Sequence, residues 1–528
     1  MPIKPLALIC ALAAGPVAAQ DAPLSAIDWL ATQRSAPPVI DVVPHMLPDA
    51  NQTPVVQSAA VPDVDVQALD APTSGGVGLL PTAVTGLPAT LWQGSHQADV
   101  IAAIEALDAR KPSVPALDSL LHTLLLAEAE MPFGADDTAF LQTRLRVLYD
   151  HGLVAPAEAL VERVSDLTPD LFEQAFDLAL LTGSDAALCR TLDATPTLST
   201  DLATRIWCAT RSGDYPRAMT IYQTGNALGQ LSELDSELLL RFLDPEYAED
   251  TSPLRAPVRP TPLQFRLFET IGETLPTTRL PRPFAVVDLS GDSGWRAQLR
   301  AAERLARAGA LDGNQLLGIY SAQKPAASGG IWDRVDALQR FDRALINNDP
   351  DAVSETLVKV WPRMRSAGLL VPFSSLFAPD LRRLSLNNRA TRIAGLAGLL
   401  SEDYEAVAHS LSDGDTGTYN GNDALDFLSD IALGKSPDTV PSDVPHAAAL
   451  AAAWSQAPEA TRELADLPGD DRLGEALLIA IGQFASGAAG NDLSLTEALR
   501  AFRAFGLEAV ARRAALQLAI LDMEGARR

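Results

Sequence analysis

Residues 281–348 read PRPFAVVDLSGDSGWRAQLRAAERLARAGALDGNQLLGIYSAQKPAASGGIWDRVDALQRFDRALINN and decide the fold class of the chain. Apolar residues recur at helical spacing in three successive segments, which begin after Ser293 and continue at residues 314–321 and 331–346. The first segment ends at Gly309, and the proline and glycines of KPAASGG end the second. The stretch therefore predicts three consecutive helices.

The charged residues of these helices follow the spacing of surface ion pairs. Glu303 precedes Arg307 by four residues, and Asp336 precedes Arg340 by the same interval. Pairs at this spacing meet on a helix surface and contribute only about 0.2 to 0.5 kcal/mol each. We therefore expect the charges of residues 281–348 to form a solvated surface and not a binding site.

The composition of the whole chain favours helices and excludes two classes of partner. The 528 residues carry a formal net charge of -26 and are 47% hydrophobic but only 5% aromatic. Abundant alanine with few aromatic residues suits close helix packing better than a β-sandwich. Nucleic acid and anionic lipid head groups are bound through clustered Lys and Arg, so neither is expected as a partner.

Residues 1–19 have the pattern of a cleaved secretory signal. Lys4 precedes the apolar run LALICALAAG, and Val17 and Ala19 supply the small residues before a cleavage site near Ala19. The run is too short to span a bilayer, and no later stretch reaches the roughly 20 apolar residues that a spanning helix requires. The sequence predicts a periplasmic or secreted protein without membrane insertion.

Proline density divides the chain into predicted regions. They are a signal peptide at 1–19, a proline-rich extended arm at 20–90, a helical-repeat region at 91–244, a proline-rich connector with one helix at 245–283, and a second helical-repeat region at 284–528. The apolar residues of 77–92 predict that this end of the arm lies extended against the helices. Thr261 as N-cap and Pro262 at the first helical position predict the connector helix. Ser494 and Glu497 predict a capping box near the C-terminus.

A similar join between two helices recurs along both helical regions. Its clearest form is GDYPRA at residues 213–218, and looser forms occur in HGLVAPAEALVERV, LTGSDAALCRTL, LLSEDYEAVAHSL and AFGLEAVARRAAL. The glycine permits a tight turn, and the alanine permits close approach of the two helices. This join resembles the turn and second helix of tetratricopeptide repeats. The resemblance implies an all-α fold of irregular TPR-like helical hairpins that stack into a superhelix, or solenoid.

The whole chain also resembles a family of uncharacterised exported bacterial proteins, some of which carry the label "antifreeze glycopeptide polyprotein". The segments that carry this resemblance are VGLLPTAVTGLPATLW, TRIWCATRSGDYPRA and GWRAQLRAAERLARAGALDGNQLLGIYSAQKPAASGGIWDRV. The label implies no tested activity. Ice binding is not expected, because the sequence has no Thr-Ala-Ala array and no regular ladder of threonines.

One segment points instead to an enzyme. FAVVDLSGDSG at residues 284–294 resembles the first block of GDSL-type serine hydrolases, in which a strand delivers the nucleophile. The resemblance implies catalysis by Ser293 with Asp443 and His446. The oxyanion block of that family is present only as NGND at residues 420–423, and the intervening chain lacks the apolar strands of a parallel sheet. Ser293 also suits the N-cap position of the helix that follows it.

No cofactor or metal is expected. Residues 413–423, DGDTGTYNGND, are acidic, but Gly417, Thr418 and Ala424 stand where an EF-hand loop requires a ligand, a glycine and a glutamate. A weak calcium site and a mobile connecting loop both remain open, and the loop is preferred. The histidines lack any paired metal spacing, which predicts that no zinc is bound.

Cys189 and Cys208 remain once a signal that contains Cys10 is removed. Export to an oxidising compartment favours a disulfide between them. Their distances from the turn between their helices differ by several residues, however, so two buried thiols stay an alternative.

Together these features predict a non-enzymatic periplasmic scaffold or adaptor that binds other envelope proteins. The alternative hypothesis is a GDSL-like serine hydrolase that acts on esters or cell-wall material.

Overall fold

The computed structural model describes residues 76–110, 114–134, 138–249, 251–290, 292–412, 423–461, 464 and 469–527. Throughout this part of the chain the regular elements are helices, joined by two isolated bridges that pair Leu80 with Ala127 and His96 with Phe133. The prediction of an all-α fold is confirmed. The signal peptide, most of the proline-rich arm and the acidic loop 413–422 lie outside the described residues.

The helices follow one another with short connections. Those before residue 275 are α1 (Thr82–Thr85), α2 (Gln97–Arg110), α3 (Pro115–Leu126), α4 (Ala139–His151), α5 (Val154–Val161), α6 (Pro169–Thr182), α7 (Ala186–Ala194), α8 (Leu202–Arg211), α9 (Tyr215–Ala227), α10 (Glu233–Leu243), α11 (Pro245–Glu249) and α12 (Pro262–Thr270). Those after it are α13 (Trp295–Ala306), α14 (Gly313–Ser321), α15 (Ile331–Ile346), α16 (Pro350–Ala367), α17 (Leu370–Leu381), α18 (Asn388–Leu400), α19 (Tyr404–Ser412), α20 (Asp423–Ala432), α21 (Ala447–Ser455), α22 (Leu473–Ala488), α23 (Asp492–Ala504) and α24 (Glu508–Met523). Short 3-10 helices lie at Pro196–Leu198, Thr277–Arg279, Arg282–Leu289 and Asp470–Arg472.

The GDYPRA segment forms the turn between α8 and α9. Gly213 has a φ of 82°, a left-handed conformation that glycine adopts without strain. Asp214 then caps α9 by accepting a hydrogen bond from the Arg217 backbone N–H at 3.1 Å. Ala218 is fully buried, so its small side chain allows α8 and α9 to pack closely.

Other helix starts follow the sequence less uniformly. Thr261 forms a capping box at the start of α12, as predicted. The predictions for two other caps are wrong. Gly294, not Ser293, is the N-cap of α13, and Asn491, not Ser494, caps α23 by accepting a hydrogen bond from the Ser494 backbone N–H. Helix α23 thus begins earlier than predicted, and the Asn491 amide oxygen accepts from an orphan N–H of its first turn.

The segment at residues 77–92 packs against the first helices and includes the short helix α1. Arg144 of α4 is buried and donates from Nη1 to the Val77 carbonyl oxygen at 2.8 Å. The backbone N–H groups of Leu79 and Leu80 donate to the Leu126 carbonyl oxygen at 2.8 and 3.0 Å. The helical body thus provides hydrogen-bond partners for backbone groups of Val77, Leu79 and Leu80. It also buries apolar side chains of the segment, such as Leu91 and Trp92.

The last helices contact the first ones. Helix α22 packs against α2 and α3, and α24 packs against α3. Trp92, which is 1% exposed, lies against Gly474 in α22, and the Gly474 N–H donates to the Leu91 carbonyl oxygen at 3.0 Å. On α24, Gln517 accepts a hydrogen bond from the Ala116 N–H at 2.7 Å. A linear stack of repeats requires contacts between neighbours only, so this contact between the two ends is an additional constraint on the fold.

Two hydrophobic cores hold the described residues together. The larger core unites apolar residues from 77–181 with others from 265–526 and thus joins both sides of the proline-rich connector. The smaller core lies around α6–α10 and α12 and includes Trp207 and Phe268. The connector carries two helices, α11 and α12, where the sequence indicates one.

Candidate functional site

The structure gives Ser293 and His446 separate partners, and Asp443 is exposed. Ser293 Oγ donates to Asp288 Oδ1 at 3.2 Å. The ring nitrogens of His446 lie 3.5 Å from a carboxylate oxygen of Asp492 and 3.3 Å from one of Asp522. Residues 282–289, which a hydrolase of the GDSL type would form into a strand, are a 3-10 helix. Within the described residues, the hydrogen bond between nucleophile and base that a serine triad uses is not formed.

A disulfide joins Cys189 of α7 to Cys208 of α8, with their Cα atoms 5.0 Å apart. Both cysteines are buried in the smaller core. Asp185 lies beside this bond, where its carboxylate accepts hydrogen bonds from Trp207 Nε1 at 2.9 Å and from Arg211 Nε at 3.1 Å. These contacts fix α7 against α8 independently of the disulfide.

A buried polar cluster ties α13, α14 and α15 together. Glu303 of α13 is 5% exposed and accepts hydrogen bonds from the Tyr320 hydroxyl at 2.5 Å and from Arg334 Nε and Nη2 at 2.7 Å each. Burial, and next the Glu303 charge, raises the pKa of Tyr320 well above its usual range. The predicted ion pair between Glu303 and Arg307 is therefore wrong, because Glu303 points into the interior toward Arg334.

Residues 322–330 form a loop that is fixed at both ends. Gln339 Nε2 donates to the carbonyl oxygens of Tyr320 at 2.8 Å and Gln323 at 2.7 Å, and the Gly329 N–H donates to Asp333 Oδ1 at 2.8 Å. Trp332 at the base of the loop is half-buried, with its ring centroid 5.2 Å from that of Trp295. The loop is thus held to α15 by residues near both of its ends, and it lines two open clefts.

The first of these clefts, which we call the arginine cleft, lies between α13 and the loop. It has a volume of about 570 Å³ and is lined by Arg296, Arg300, Ser328, Trp332 and the pair Glu303 and Arg334. Arg296 and Arg300 are exposed, and in the described part of the chain neither guanidinium has a hydrogen bond or an ion pair. Among the residues that line the cleft, three arginines face one glutamate, an excess of two positive charges.

The second cleft, which we call the acidic cleft, lies on the opposite side of the loop and has a volume of about 860 Å³. Its walls carry three carboxylates, Asp333, Asp336 and Asp342, against two cations, Lys324 and Arg343, and it shares Trp332 with the arginine cleft. Burial raises the pKa of Asp342. The loop therefore separates two adjoining clefts of opposite charge.

A second polar cluster lies between α3 and α4, away from both clefts. His122 Nε2 is 2.9 Å from His151 Nδ1, and both rings are buried. Burial, followed by the charges of His151 and Arg282, lowers the pKa of His122 to about 3. Burial raises the pKa of Asp118 to about 7, and Arg282 opposes this shift. Because the two histidines are 29 residues apart in sequence, their spacing gives no signal of this contact.

Across the described residues, no three histidine, cysteine or acidic side chains are arranged to hold a metal ion. Among the helices in that part of the chain, none combines the length and the apolar character needed to cross a membrane.

The fold and the clefts define an all-α protein with a solvent-open, charge-segregated groove around one anchored loop. The chain matches no protein-family model, no curated protein and no solved structure.

The spacing of charges in residues 281–348 predicts a solvated face and does not indicate the clefts. Arg296 and Arg300 are indeed exposed, but the loop 322–330 folds back to face them. The available signal was that Arg300 has arginines and no acidic residue four positions away on either side, in contrast to Arg340 with Asp336.

Proposed function

We propose that this protein is an exported, non-enzymatic scaffold or adaptor that binds other envelope proteins at the two clefts around residues 322–330. The observation that carries the proposal is the pair of adjoining clefts, which share Trp332 and are open to solvent. A surface of this kind suits an extended protein segment better than an enclosed small-molecule substrate.

The disulfide between Cys189 and Cys208 supports the export part of the proposal. Structural disulfides form and persist in oxidising compartments such as the bacterial periplasm. The signal-like residues 1–19 agree with this location. The separate surroundings of Ser293 and His446 favour a binding role over hydrolysis.

Site-specific photo-crosslinking tests the proposal in cells that export the protein. A photoreactive amino acid replaces Ser328, which lines both clefts, or Glu355, which is exposed on α16 and serves as the matched control. We expect discrete adducts with another envelope protein from position 328 and none from position 355. Ser293→Ala in the position 328 background should keep the adduct.

Two results would argue against a scaffold that binds through the clefts. Adducts of equal yield and pattern from both positions would show that the clefts are not the contact surface. Loss of the adduct with Ser293→Ala, together with loss of an ester hydrolysis activity in a correctly folded protein, would favour the hydrolase.

A further inference from the structure

We infer that the arginine cleft binds an acidic peptide segment of the partner protein, with Arg296 and Arg300 pairing with carboxylates. This inference rests on the proposed function and names the chemistry of the partner at the same site. It starts from the charge of the cleft, which is opposite in sign to that of the whole chain.

The positive charge at this cleft belongs to one face of α13. Arg296, Arg300, Arg304 and Arg307 follow one another at spacings of four, four and three residues, which places them along one side of the helix. Arg304 donates to the carbonyl oxygens of Thr277 at 3.2 Å and Leu280 at 2.7 Å, so its charge is held by neutral groups. Burial, and then the charges of Arg282 and Arg307, lowers the pKa of Arg304. Arg307 donates to the Ala367 carbonyl oxygen at 3.3 Å, so Arg296 and Arg300 are the members of this row that line the cleft.

The acidic residue within the cleft does not cancel this charge. Glu303 is buried and its two carboxylate oxygens are occupied by Arg334 and Tyr320. Arg296 and Arg300 remain available at the surface, on a protein whose formal net charge is -26. Guanidinium groups bind carboxylates through paired, charge-assisted hydrogen bonds, which gives these two residues a defined class of ligand.

The spacing of the two arginines favours a peptide over one small anion. Side chains four residues apart on a helix are about 5 to 6 Å apart at Cβ, so each can engage a separate carboxylate. Trp332 adds a half-buried aromatic surface beside them. Beyond Trp332 the acidic cleft presents Asp333, Asp336 and Asp342 against Lys324 and Arg343, an excess of one negative charge that disfavours a ligand that stays negative along its whole length. The expected segment is acidic at one end and neutral or basic at the other.

Fluorescence anisotropy with the purified full-length protein tests this inference. The probe is a short labelled peptide with glutamates in its first half and glycine and serine in its second half. We expect it to bind the native protein, and we expect Arg296→Glu with Arg300→Glu to weaken binding at least about tenfold. Arg383→Glu, which changes an exposed arginine outside both clefts, is the charge control and should weaken binding less than about twofold.

Three outcomes would overturn the inference. One is equal weakening by Arg383→Glu, which would indicate a general charge effect. Another is equal binding of a peptide with lysines in place of the glutamates. The third is displacement of the acidic peptide by inorganic phosphate at an equal concentration of charge, which would identify a small-anion site. If a partner is crosslinked at position 328 but the acidic peptide does not bind, the scaffold proposal stands and this inference falls.

Discussion

Cys189 and Cys208 are joined across the consecutive helices α7 and α8, with a Cα separation of 5.0 Å. The sequence left two arrangements open, because the cysteines stand at different distances from the intervening turn. Helix α7 ends at Ala194 and α8 begins at Leu202, so Cys189 and Cys208 stand at nearly equal distances from the facing ends of two helices that pack together. The separation falls within the range that a disulfide requires.

We expect the disulfide to contribute about 3 kcal/mol to the free energy of unfolding, because it closes a loop between residues 19 apart in sequence. Urea unfolding of Cys189→Ala with Cys208→Ala, compared with the native protein, measures this contribution. Thiol labelling of exported, denatured and unreduced protein that begins at residue 20 should find no free thiol. Two reactive thiols per chain would show that the bond is not formed.

Removing the buried charge of Glu303 should be far more costly than removing an exposed one. Glu303→Gln leaves the Arg334 guanidinium without its carboxylate in a site where Glu303 is 5% exposed. We expect a loss of about 3 kcal/mol in the free energy of unfolding. Asp336→Asn is the matched control, because the side chains of Asp336 and Arg340 are 44% and 64% exposed, and it should cost less than about 1 kcal/mol. Similar losses in both variants by urea unfolding would contradict the interior role of Glu303.

The contact between the first and last helices can be tested with two glycines of α22. A Cβ atom at Gly474 would lie 2.4 Å from carbon atoms of the Trp92 ring, whereas one at Gly482 would lie 3.6 Å from Leu107 Cδ2. We expect Gly474→Ala to lower the free energy of unfolding by about 1 to 3 kcal/mol, because Trp92 must shift. Gly482→Ala should instead raise it by up to about 1 kcal/mol through helix propensity. Equal effects in thermal unfolding would mean that Trp92 is not held against α22.

Asp118 should make the native protein less stable as pH rises. Its pKa in the folded protein is about 7, above the ordinary value of 3.8, so the unfolded chain ionises first between these two pH values. The folded state therefore loses relative stability as pH rises from about 4 to about 7. Asp118→Asn removes this effect, and because the carboxyl is half-buried we expect a relative gain of about 2 kcal/mol at pH 8 compared with pH 4.

A neighbouring residue, His122, changes the stability of the protein with pH in the opposite direction, so its effect must be separated from that of Asp118. Burial lowers the pKa of His122 to about 3, so stability is lost as pH falls below about 6.5. The difference between the native protein and Asp118→Asn isolates Asp118 from this trend. A difference in unfolding free energy that does not change between pH 4 and pH 8 would show that Asp118 ionises equally in the folded and unfolded chains.

Local signals predicted much of the fold. The predicted helix at residues 331–346 matches α15. Glycines precede this segment and polar residues follow it, and these residues mark its two ends in the sequence. Thr261 and Pro262 start α12 as expected. The predicted N-caps Ser293 and Ser494 are wrong. Gly294 is the N-cap of α13, and Asn491, three residues before Ser494, is the N-cap of α23.

The candidate site depends on contacts that sequence spacing does not encode. Glu303 pairs with Arg334, 31 residues away, and not with the residue four positions later. His122 meets His151, and Trp92 meets Gly474, only because distant helices pack together. The arginine cleft likewise exists because hydrogen bonds from Gln339 and Asp333 hold the loop 322–330 in place.

Isolation of the native complex tests the central claim most directly. The full-length protein, captured from envelope extract and analysed by native mass spectrometry, should carry a second polypeptide at a fixed ratio. Arg383→Glu should keep that polypeptide, and Arg296→Glu with Arg300→Glu should lose it while the helical circular dichroism spectrum stays unchanged. A native protein that is isolated without a partner, or a partner that is retained by the double variant, would contradict the account.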